Sequence, residues 1–354
     1  MVSNQCIQLG QAIGRIRPFN EKMASLADRH SDRLTKPPGS LGKLERMARQ
    51  LAGATGEMWP DLSRKAVIVM AADHGVCAEG VSAFPQEVTG QMVVNFLKGG
   101  AAVNVLARQA GADVYCVDVG MKDDVREEGL IRRNVKRGTD NIAAGPAMDR
   151  EEAIAAVMAG VALVDELAQQ GYRLFATGEM GIGNTTASAA VVSVLTGLPP
   201  ETTVGRGTGI DDAGRVRKVE VVERAIAVNR PDPTDAFDVL AKVGGLEIAG
   251  LAGVIIGAAA NGCPVVLDGY ISSAAALIAK QVTEMTLPFM FASHLSQEQG
   301  HAKLLEALGL SPLLHLDMRL GEGTGAVLCF SLIDASLRLM QEMATFESAG
   351  VSRK

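Results

Sequence analysis

The chain has 354 residues, of which 47% are hydrophobic and 21% are charged, and its formal net charge is −6. This composition supplies a sizeable core and excludes a globally disordered chain, while the negative charge argues against a broad nucleic-acid footprint. Its five cysteines lack CxxC spacing, which indicates reduced thiols of a cytoplasmic protein rather than a disulfide scaffold.

The two ends of the chain are predicted to be helical. Neither the first 60 or so residues nor the tail after 331 contains a strand-type run, and no signal peptide is predicted at the N-terminus. The sequence therefore predicts a small helical domain from residues 1–60 and 331–354, and an α/β domain over 61–330. The Lys36-Pro37-Pro38-Gly39-Ser40 segment either hinges the helical domain or reaches into a site, a neighbouring subunit's site included.

The middle of the chain alternates short apolar runs with helical stretches. The runs of strand type are 67–73, 113–120, 173–179, 264–269, 288–294 and 313–318. The clearest helix is predicted to begin near Asp149, with Glu152 three residues later, and to end at Gly171. Residues 248–267 carry no charge, but the break at Asn261 to Pro264 predicts a helix and a strand rather than a membrane span. The pattern predicts a parallel, roughly six-stranded Rossmann-like sheet with helices on both faces.

Polar residues follow most of these runs. They are Asp73 and His74, Asp118, Glu179, Asp268, Ser293 and His294, and, a few residues late, Glu322. Because ligands of open parallel sheets bind at the carboxyl ends of the strands, we expect a single site assembled from much of the chain.

Two glycine-rich loops precede predicted helices. GEMGIGNTTASAAVV (178–192) opens a helix at Asn184, where free backbone N–H groups favour a phosphate. An ordinary strand-to-helix turn is the alternative, since the loop matches neither the P-loop nor the GxGxxG spacing of a nucleotide oxidoreductase. GRGTGIDDAGRVRKVE (205–220) leads into a charged helix whose basic residues either meet an anion or form a solvated face.

No metal site and no cofactor are predicted. The histidines show no HxxxH spacing, and no GxSxG elbow supports a Ser-His-Asp triad. Taken by themselves, these residues indicate an α/β enzyme that binds a small phosphorylated ligand.

Six segments carry a resemblance to a known family. They are LTKPPGSLGKLE (34–45), AADHGV (71–76), GEMGIGNTT (178–186), GRGTGIDD (205–212), LDGYISSAAALIA (267–279) and MRLGEGTGA (318–326). In this order they resemble the nicotinate-nucleotide–dimethylbenzimidazole phosphoribosyltransferases, which make the lower-ligand nucleotide of cobalamin. The resemblance extends from about residue 34 to 345.

The resemblance implies transfer of phosphoribose from nicotinate mononucleotide to 5,6-dimethylbenzimidazole with inversion, which gives α-ribazole 5′-phosphate and nicotinate. The nicotinate nitrogen is cationic in the nucleotide and leaves neutral, so the transfer needs a base for the azole proton and no general acid. Glu322, which matches the family's catalytic glutamate, is expected to be that base, with capping of a helix near Thr324 as the alternative. A homodimer without nucleic-acid or membrane partners is also implied. The alternatives are a related phosphoribosyltransferase acting on another base and a non-catalytic nucleotide- or base-binding module.

The resemblance also implies the remaining site residues. The nucleotide and phosphate are expected to contact Gly178, Met180, Gly181, Ile182, Gly183, Asn184 and Ser296. The aromatic base is expected to contact Phe84, Pro85, Gln91 and Leu320. Glu179 and Lys218 are expected to assist, either in the chemistry or in positioning.

Overall fold

The structure, a computed structural model, describes residues 4–352, so the outermost ends of the predicted helical domain (1–3 and 353–354) lie outside the described residues. Its strands form one parallel six-stranded sheet in the spatial order β3-β2-β1-β4-β5-β6. The strands are β1 (Lys65–Ala72), β2 (Ala112–Gly120), β3 (Ile131–Arg132), β4 (Leu174–Met180), β5 (Val265–Leu267) and β6 (Met290–Ala292). The predicted α/β class and sheet are therefore confirmed.

Helices cover the sheet and form both ends of the described chain. In chain order they are α1 (Asn4–Gly14), α2 (Glu21–Ser31), α3 (Lys43–Thr55), α4 (Val88–Leu97), α5 (Ala102–Ala110), α6 (Arg150–Gln169), α7 (Asn184–Thr196), α8 (Pro200–Thr203), α9 (Asp212–Asn229), α10 (Ala236–Val243), α11 (Leu246–Ala260), α12 (Tyr270–Val282), α13 (His301–Leu308), α14 (Thr324–Glu342) and α15 (Phe346–Ala349). Two 3₁₀ helices span Gly75–Glu79 and Glu284–Phe289.

Strand β1 shows how the sheet separates two hydrophobic cores. All of its residues are buried, as expected for a central parallel strand. Because successive side chains of a strand point to opposite faces, Ile68 and Met70 pack in the core with α6 and α11, whereas Val67 and Val69 pack in the core with α5 and α14. Both faces of the sheet are thus covered, as the uninterrupted apolar run predicts.

The strand order places a ligand crevice next to β1 and β4. Chain connections run outwards in opposite directions from these two strands, β1 continuing to β2 and β4 to β5. In doubly wound sheets of this order, loops diverge at such a switch point and leave a crevice outside the carboxyl ends of the strands. Glu179 in β4 and the loop before α7 lie at that point.

Helix α6 confirms the predicted capping box. The Asp149 side chain accepts from the backbone N–H of Glu152, and the Glu152 side chain accepts from that of Asp149. The uncharged stretch 248–267 forms most of α11, a turn and β5, as predicted. Within residues 4–352, no helix is both long and apolar enough to cross a membrane.

The predicted strand at 313–318 is wrong. This stretch makes only a single parallel bridge, between Leu314 and His294, before the chain leaves the sheet edge. The side chain of Leu316, in the middle of this stretch, is half exposed, so the apolar run does not mark a buried strand. Conversely, β3 was not predicted, because a two-residue strand has no measurable periodicity.

The helices at the two ends of the chain pack together. Leu34, Ala48 of α3 and Met340 of α14 share a small hydrophobic cluster. Helix α14 passes without interruption through position 331, where the helical domain was predicted to resume. The division into two domains stays a prediction.

The KPPGSLG segment folds around Glu45 of α3. The carboxylate of Glu45 accepts from the Leu41 N–H at 2.8 Å and from the Ser31 hydroxyl at 3.1 Å, and it lies 2.9 Å from the Lys36 ammonium group. Lys36 is buried, so the segment is anchored locally on the start of α3. Its role as a hinge or in a site stays a prediction.

Helices α6 and α11 approach so closely that only glycine fits between them. A Cβ atom on Gly253 of α11 would overlap the backbone carbonyl oxygen of Val157 in α6, and a Cβ atom on Gly160 would overlap that of Gly250. Backbone atoms of a packed helix cannot rotate away, so this face tolerates no added methyl group.

Gly253→Ala is therefore expected to lower the free energy of unfolding by about 1–3 kcal/mol, measured by urea denaturation. Overpacking outweighs the helix preference of alanine, which is worth about 1 kcal/mol. Gly10→Ala in α1 is the matched control, since no atom lies within 4 Å of the added methyl group. It should stabilise by about 0.5–1 kcal/mol. Equal effects of the two substitutions would contradict the packing argument.

Candidate active site

A cavity of about 700 Å³ opens at the carboxyl ends of β4, β5 and β6. Nine of the residues predicted for the site line it, namely Phe84, Glu179, Met180, Gly181, Ile182, Asn184, Ser296, Leu320 and Glu322. Its size suits a nucleotide together with an aromatic base. The structure thus brings together segments that lie more than 200 positions apart in the chain.

Glu322 occupies a left-handed turn at the cavity wall. Gly321, Glu322 and Gly323 have φ angles of +87°, +65° and +97°. For a residue with a Cβ atom this conformation costs about 1–2 kcal/mol, whereas glycine adopts it freely. A Cβ atom on Gly178 of β4 would overlap the Glu322 carbonyl oxygen, so the turn lies directly on bare backbone. The surrounding glycines are therefore needed to place Glu322.

The carboxylate of Glu322 is largely enclosed. Glu322 is 7% exposed, and the backbone N–H of Val103, in the first turn of α5, donates to its Oε2 at 3.4 Å. Burial raises the pKa of Glu322, the charge of Asp268 raises it further, and the Val103 bond opposes both. A carboxylate with a raised pKa is a stronger base than one in water.

Asp268 follows β5 and binds the start of α14. Its Oδ1 accepts from the backbone N–H groups of Gly325 at 2.8 Å and Ala326 at 3.1 Å, and its Oδ2 accepts from that of Gly323 at 3.1 Å. Burial raises the pKa of Asp268 to about 6, against the effect of these bonds. Sequence patterns assign Asp268 no role, because its partners lie over 50 residues away in the chain.

Glu179 lies beneath the same turn. Its Oε1 accepts from the Glu322 N–H at 3.4 Å, and the Asn184 side chain donates to its Oε2. Burial raises the pKa of Glu179 to about 8, and the charges of Asp268 and Glu247 contribute to the shift. At neutral pH Glu179 is therefore mainly the neutral acid, which supports the turn without adding a third full negative charge to those of Asp268 and Glu322.

The raised pKa of Glu179 predicts that the stability of the protein depends on pH. A carboxyl group whose folded-state pKa lies above its unfolded value stabilises fully at low pH, and this contribution is lost as the pH rises towards about 8. Glu179→Gln cannot titrate, so its free energy of unfolding should fall less steeply between pH 5 and 8 than that of the wild type, as measured by urea denaturation. Glu306→Gln, at an exposed position, should keep the wild-type slope. Parallel slopes for Glu179→Gln and the wild type would contradict this prediction.

The loop between β4 and α7 presents backbone to the cavity. Gly181, Ile182, Asn184 and Thr185 line it, and no side chain of the described residues caps the N-terminus of α7. The loop is held from behind by the Thr89 hydroxyl, which accepts from the Ile182 N–H at 3.1 Å. An uncapped helix start with fixed N–H groups suits an anionic ligand such as phosphate. Gly178 lies in β4 beneath the Glu322 turn and Gly183 lies in the loop itself, and neither lines the cavity.

Lys218 of α9 lies behind the loop rather than on the cavity surface. It is buried, and its ammonium group donates to the Thr185 hydroxyl at 2.7 Å. Burial lowers the pKa of Lys218 to about 8, and the charge of Glu298 opposes this shift. A Cβ atom on Gly207, which lines the cavity, would lie 3.1 Å from the ammonium group. The positive charge therefore lies one layer below the start of α7.

Ser296 is fixed by a buried histidine. The Ser296 N–H donates to His301 Nδ1 at 2.9 Å, and His301 Nε2 lies 3.0 Å from the Ser273 hydroxyl. Burial lowers the pKa of His301 to about 3, so the ring is neutral and Nδ1 stays free to accept. His301 thus has a structural role. In the part of the chain that the structure describes, no group of three or more potential metal-binding side chains occurs.

The apolar end of the cavity is built from α4 and the loop before α14. Phe84 and Leu320 line it and are 53% and 59% exposed, so an apolar ligand between them would cover both. Val88 and Met92 also line it, whereas Gln91, which is exposed, does not. Pro85 lies in an adjoining groove of about 560 Å³. The i, i+4 spacing of Val88 and Met92 is the signal by which helical periodicity could have identified them.

Comparison with known proteins agrees with this geometry. A family model described as "Phosphoribosyltransferase" matches residues 16–351. The nicotinate-nucleotide–dimethylbenzimidazole phosphoribosyltransferase of Chloroflexus aggregans is 54% identical over 347 residues, which covers 98% of each chain. The protein of the same name from Desulforudis audaxviator is 55% identical over 346 residues, again covering 98% of each chain. The crystal structure of the enzyme of this name from Thermus thermophilus superposes with a TM-score of 0.90 at 49% identity, covering 95% of this chain and 100% of that chain.

Proposed function

The chain belongs to the nicotinate-nucleotide–dimethylbenzimidazole phosphoribosyltransferase family, and from this premise we propose that it transfers phosphoribose from nicotinate mononucleotide to 5,6-dimethylbenzimidazole with inversion at the anomeric carbon. The products are α-ribazole 5′-phosphate and nicotinate. The observation on which this proposal depends is the position of a buried carboxylate, Glu322, in the same cavity as the uncapped start of α7.

The reaction places one demand on the protein's acid–base chemistry. The bond between the anomeric carbon and the nicotinate nitrogen breaks, and its electron pair neutralises the cationic ring. One nitrogen of the benzimidazole forms the new bond, and the proton on its other nitrogen passes to Glu322. A single base is sufficient for this transfer, and a positioned base of this kind is typically worth ~10²–10⁴ in rate.

The two ends of the cavity match the two substrates. The 5′-phosphate would bind at backbone N–H groups of 181–185 other than those of Ile182 and Asn184, which donate to the Thr89 hydroxyl and the Gly181 carbonyl. Lys218 would supply positive charge from below and Ser296 a further hydrogen bond. The benzimidazole would lie between Phe84 and Leu320, where its flat rings cover exposed apolar side chains. Glu322 lies in the wall of the same cavity, at the turn next to Leu320.

The test is release of nicotinate from its mononucleotide by the purified protein. Nicotinate should appear only when a benzimidazole is supplied, in equal amount to a product that chromatography and NMR identify as the α-anomer. Release without the base would indicate a hydrolase, and a β-anomeric product would contradict inversion. Binding of both compounds without any release would favour a non-catalytic module.

Two further features belong to the proposal. The family resemblance implies a homodimer, and the cysteine usage implies a cytoplasmic location. Sedimentation at assay concentration tests the first, with a mass of twice 37.0 kDa expected.

A further inference from the structure

Glu179, Asp268 and Glu322 bring three carboxyl groups together at the wall of the cavity, and only Glu322 has a chemical step in the proposed reaction. Glu179 supports the turn from the β4 side through a single long bond. Asp268 makes three bonds, all of them to backbone N–H groups of residues 323–326, which flank Glu322 on its C-terminal side. Asp268 therefore determines the backbone path that leaves Glu322.

These bonds replace the cap that α14 lacks locally. The N-cap residue of α14 is Gly323, which has no side chain to accept from the first N–H groups. Glycine is needed there because φ is +97°. Asp268 supplies the missing acceptor from β5, and its charge faces the positive end of the helix macrodipole.

We propose that Asp268 is the positioning residue of the catalytic turn: by capping α14 from the end of β5, it holds Gly321–Gly323 in the left-handed path that directs the Glu322 carboxylate into the cavity. This inference rests on the proposed role of Glu322 as the base. Asp268 acts through Glu322 and takes no proton in the reaction.

The charge of Asp268 also influences how strongly Glu322 holds a proton. The titratable groups around the pair are Glu179 on β4, Cys329 on α14 and the neutral His294 after β6. Burial, the neighbouring charge of Asp268 and the Val103 bond together set the pKa of Glu322, and the contribution of the charge is lost when Asp268 becomes neutral. A neutral residue at 268 should therefore lower the pKa of Glu322.

The test compares Asp268→Asn, Glu322→Gln and the double variant. Asparagine removes the charge and retains one oxygen, which can still accept from Gly325 and Ala326. We expect Asp268→Asn to lower kcat by about 10–100-fold, because misplacement of a catalytic group by about 1 Å has effects of that size. KM for the mononucleotide should change less than about threefold, since the backbone N–H groups of 181–185 are untouched.

The double variant separates positioning from independent effects. If Asp268 acts through Glu322, Asp268→Asn should change kcat by less than about threefold in a Glu322→Gln background. In Asp268→Asn alone, the acidic limb of the curve of kcat against pH should move to lower pH. Asp268→Glu, which keeps the charge but displaces it, should lower kcat without that movement, and it also serves as the test if the asparagine variant does not fold.

Ser336→Ala is the matched control for loss of α14 stability. Ser336 lies on α14 far from the turn, and its hydroxyl donates to the Leu44 carbonyl of α3 at 2.7 Å, so its removal should lower the unfolding midpoint and leave kcat unchanged. This inference would be overturned if Asp268→Asn lowered kcat by the same factor in the wild-type and Glu322→Gln backgrounds. It would also be overturned if the acidic limb of kcat against pH did not move in Asp268→Asn. Either result would leave the proposed function intact. Near-normal turnover in Glu322→Gln itself would instead overturn the role of Glu322, and the inference with it.

Discussion

Glu322→Gln is expected to lower turnover by roughly two to four orders of magnitude while both substrates still bind. Glutamine keeps the volume and a hydrogen-bonding tip, and it fits the same left-handed turn, but it cannot accept the azole proton at neutral pH. Because the base acts on the nucleophile and not on the sugar, residual product should remain the α-anomer. Steady-state kinetics with product identification measures both quantities, and calorimetry measures binding of each substrate.

An exposed glutamate on the same helix supplies the control. Glu342→Gln removes a carboxylate from the far end of α14 and should leave turnover unchanged. The deficit of Glu322→Gln should shrink with an acceptor base whose attacking form loses its proton readily. If Glu322→Gln turned over within a factor of a few of the wild type, Glu322 would have a structural role only.

Nicotinate riboside, which lacks the 5′-phosphate, is expected to be a poorer substrate than the mononucleotide by roughly 10²–10⁴ in kcat/KM. Hydrogen bonds to a charged group are worth about 1.5–3 kcal/mol each, and two such bonds from the start of α7 give this range. The ratio of kcat/KM for the two substrates, measured with the same benzimidazole, provides the number. If kcat/KM for the riboside were within about tenfold of that for the mononucleotide, the 5′-phosphate would not bind at this loop.

Lys218→Met tests whether Lys218 contributes to binding of the 5′-phosphate. If the buried ammonium group acts on the phosphate, Lys218→Met should weaken catalysis with the mononucleotide and change catalysis with the riboside much less. Lys65→Met is the control, because Lys65 is also buried but pairs with Asp334 at 2.7 Å at the opposite end of β1. Lys65→Met should lower stability but leave kcat/KM unchanged for both the mononucleotide and the riboside. Equal losses with both substrates in Lys218→Met would indicate that Lys218 only supports the fold.

Local patterns were sufficient to predict the sheet and several element boundaries. The buried run that forms β1, the capping box at Asp149 and the helix start at Asn184 each depend on neighbouring residues, and the structure confirms them. The run at 313–318 was wrongly predicted as a strand because apolar residues alone do not reveal how far the chain stays in the sheet. Leu313 and Leu314 pack against the core, whereas Leu316 is half exposed. Phe84 and Leu320 show the same limit, since their exposure depends on where α4 and the last loop meet.

The order of residues was enough to establish the fold class, the family and the identity of most residues around the cavity, because motifs such as GEGTGA and GEMGIGN are contiguous in the chain. How these residues act on one another depends on the three-dimensional packing. The capping of α14 by Asp268, the burial of Lys218 behind Thr185 and the fit of Gly178 against Glu322 join positions that are distant in sequence. Burial and neighbouring charges, which set the pKa of each group, arise from that packing, and no local pattern of residues encodes them.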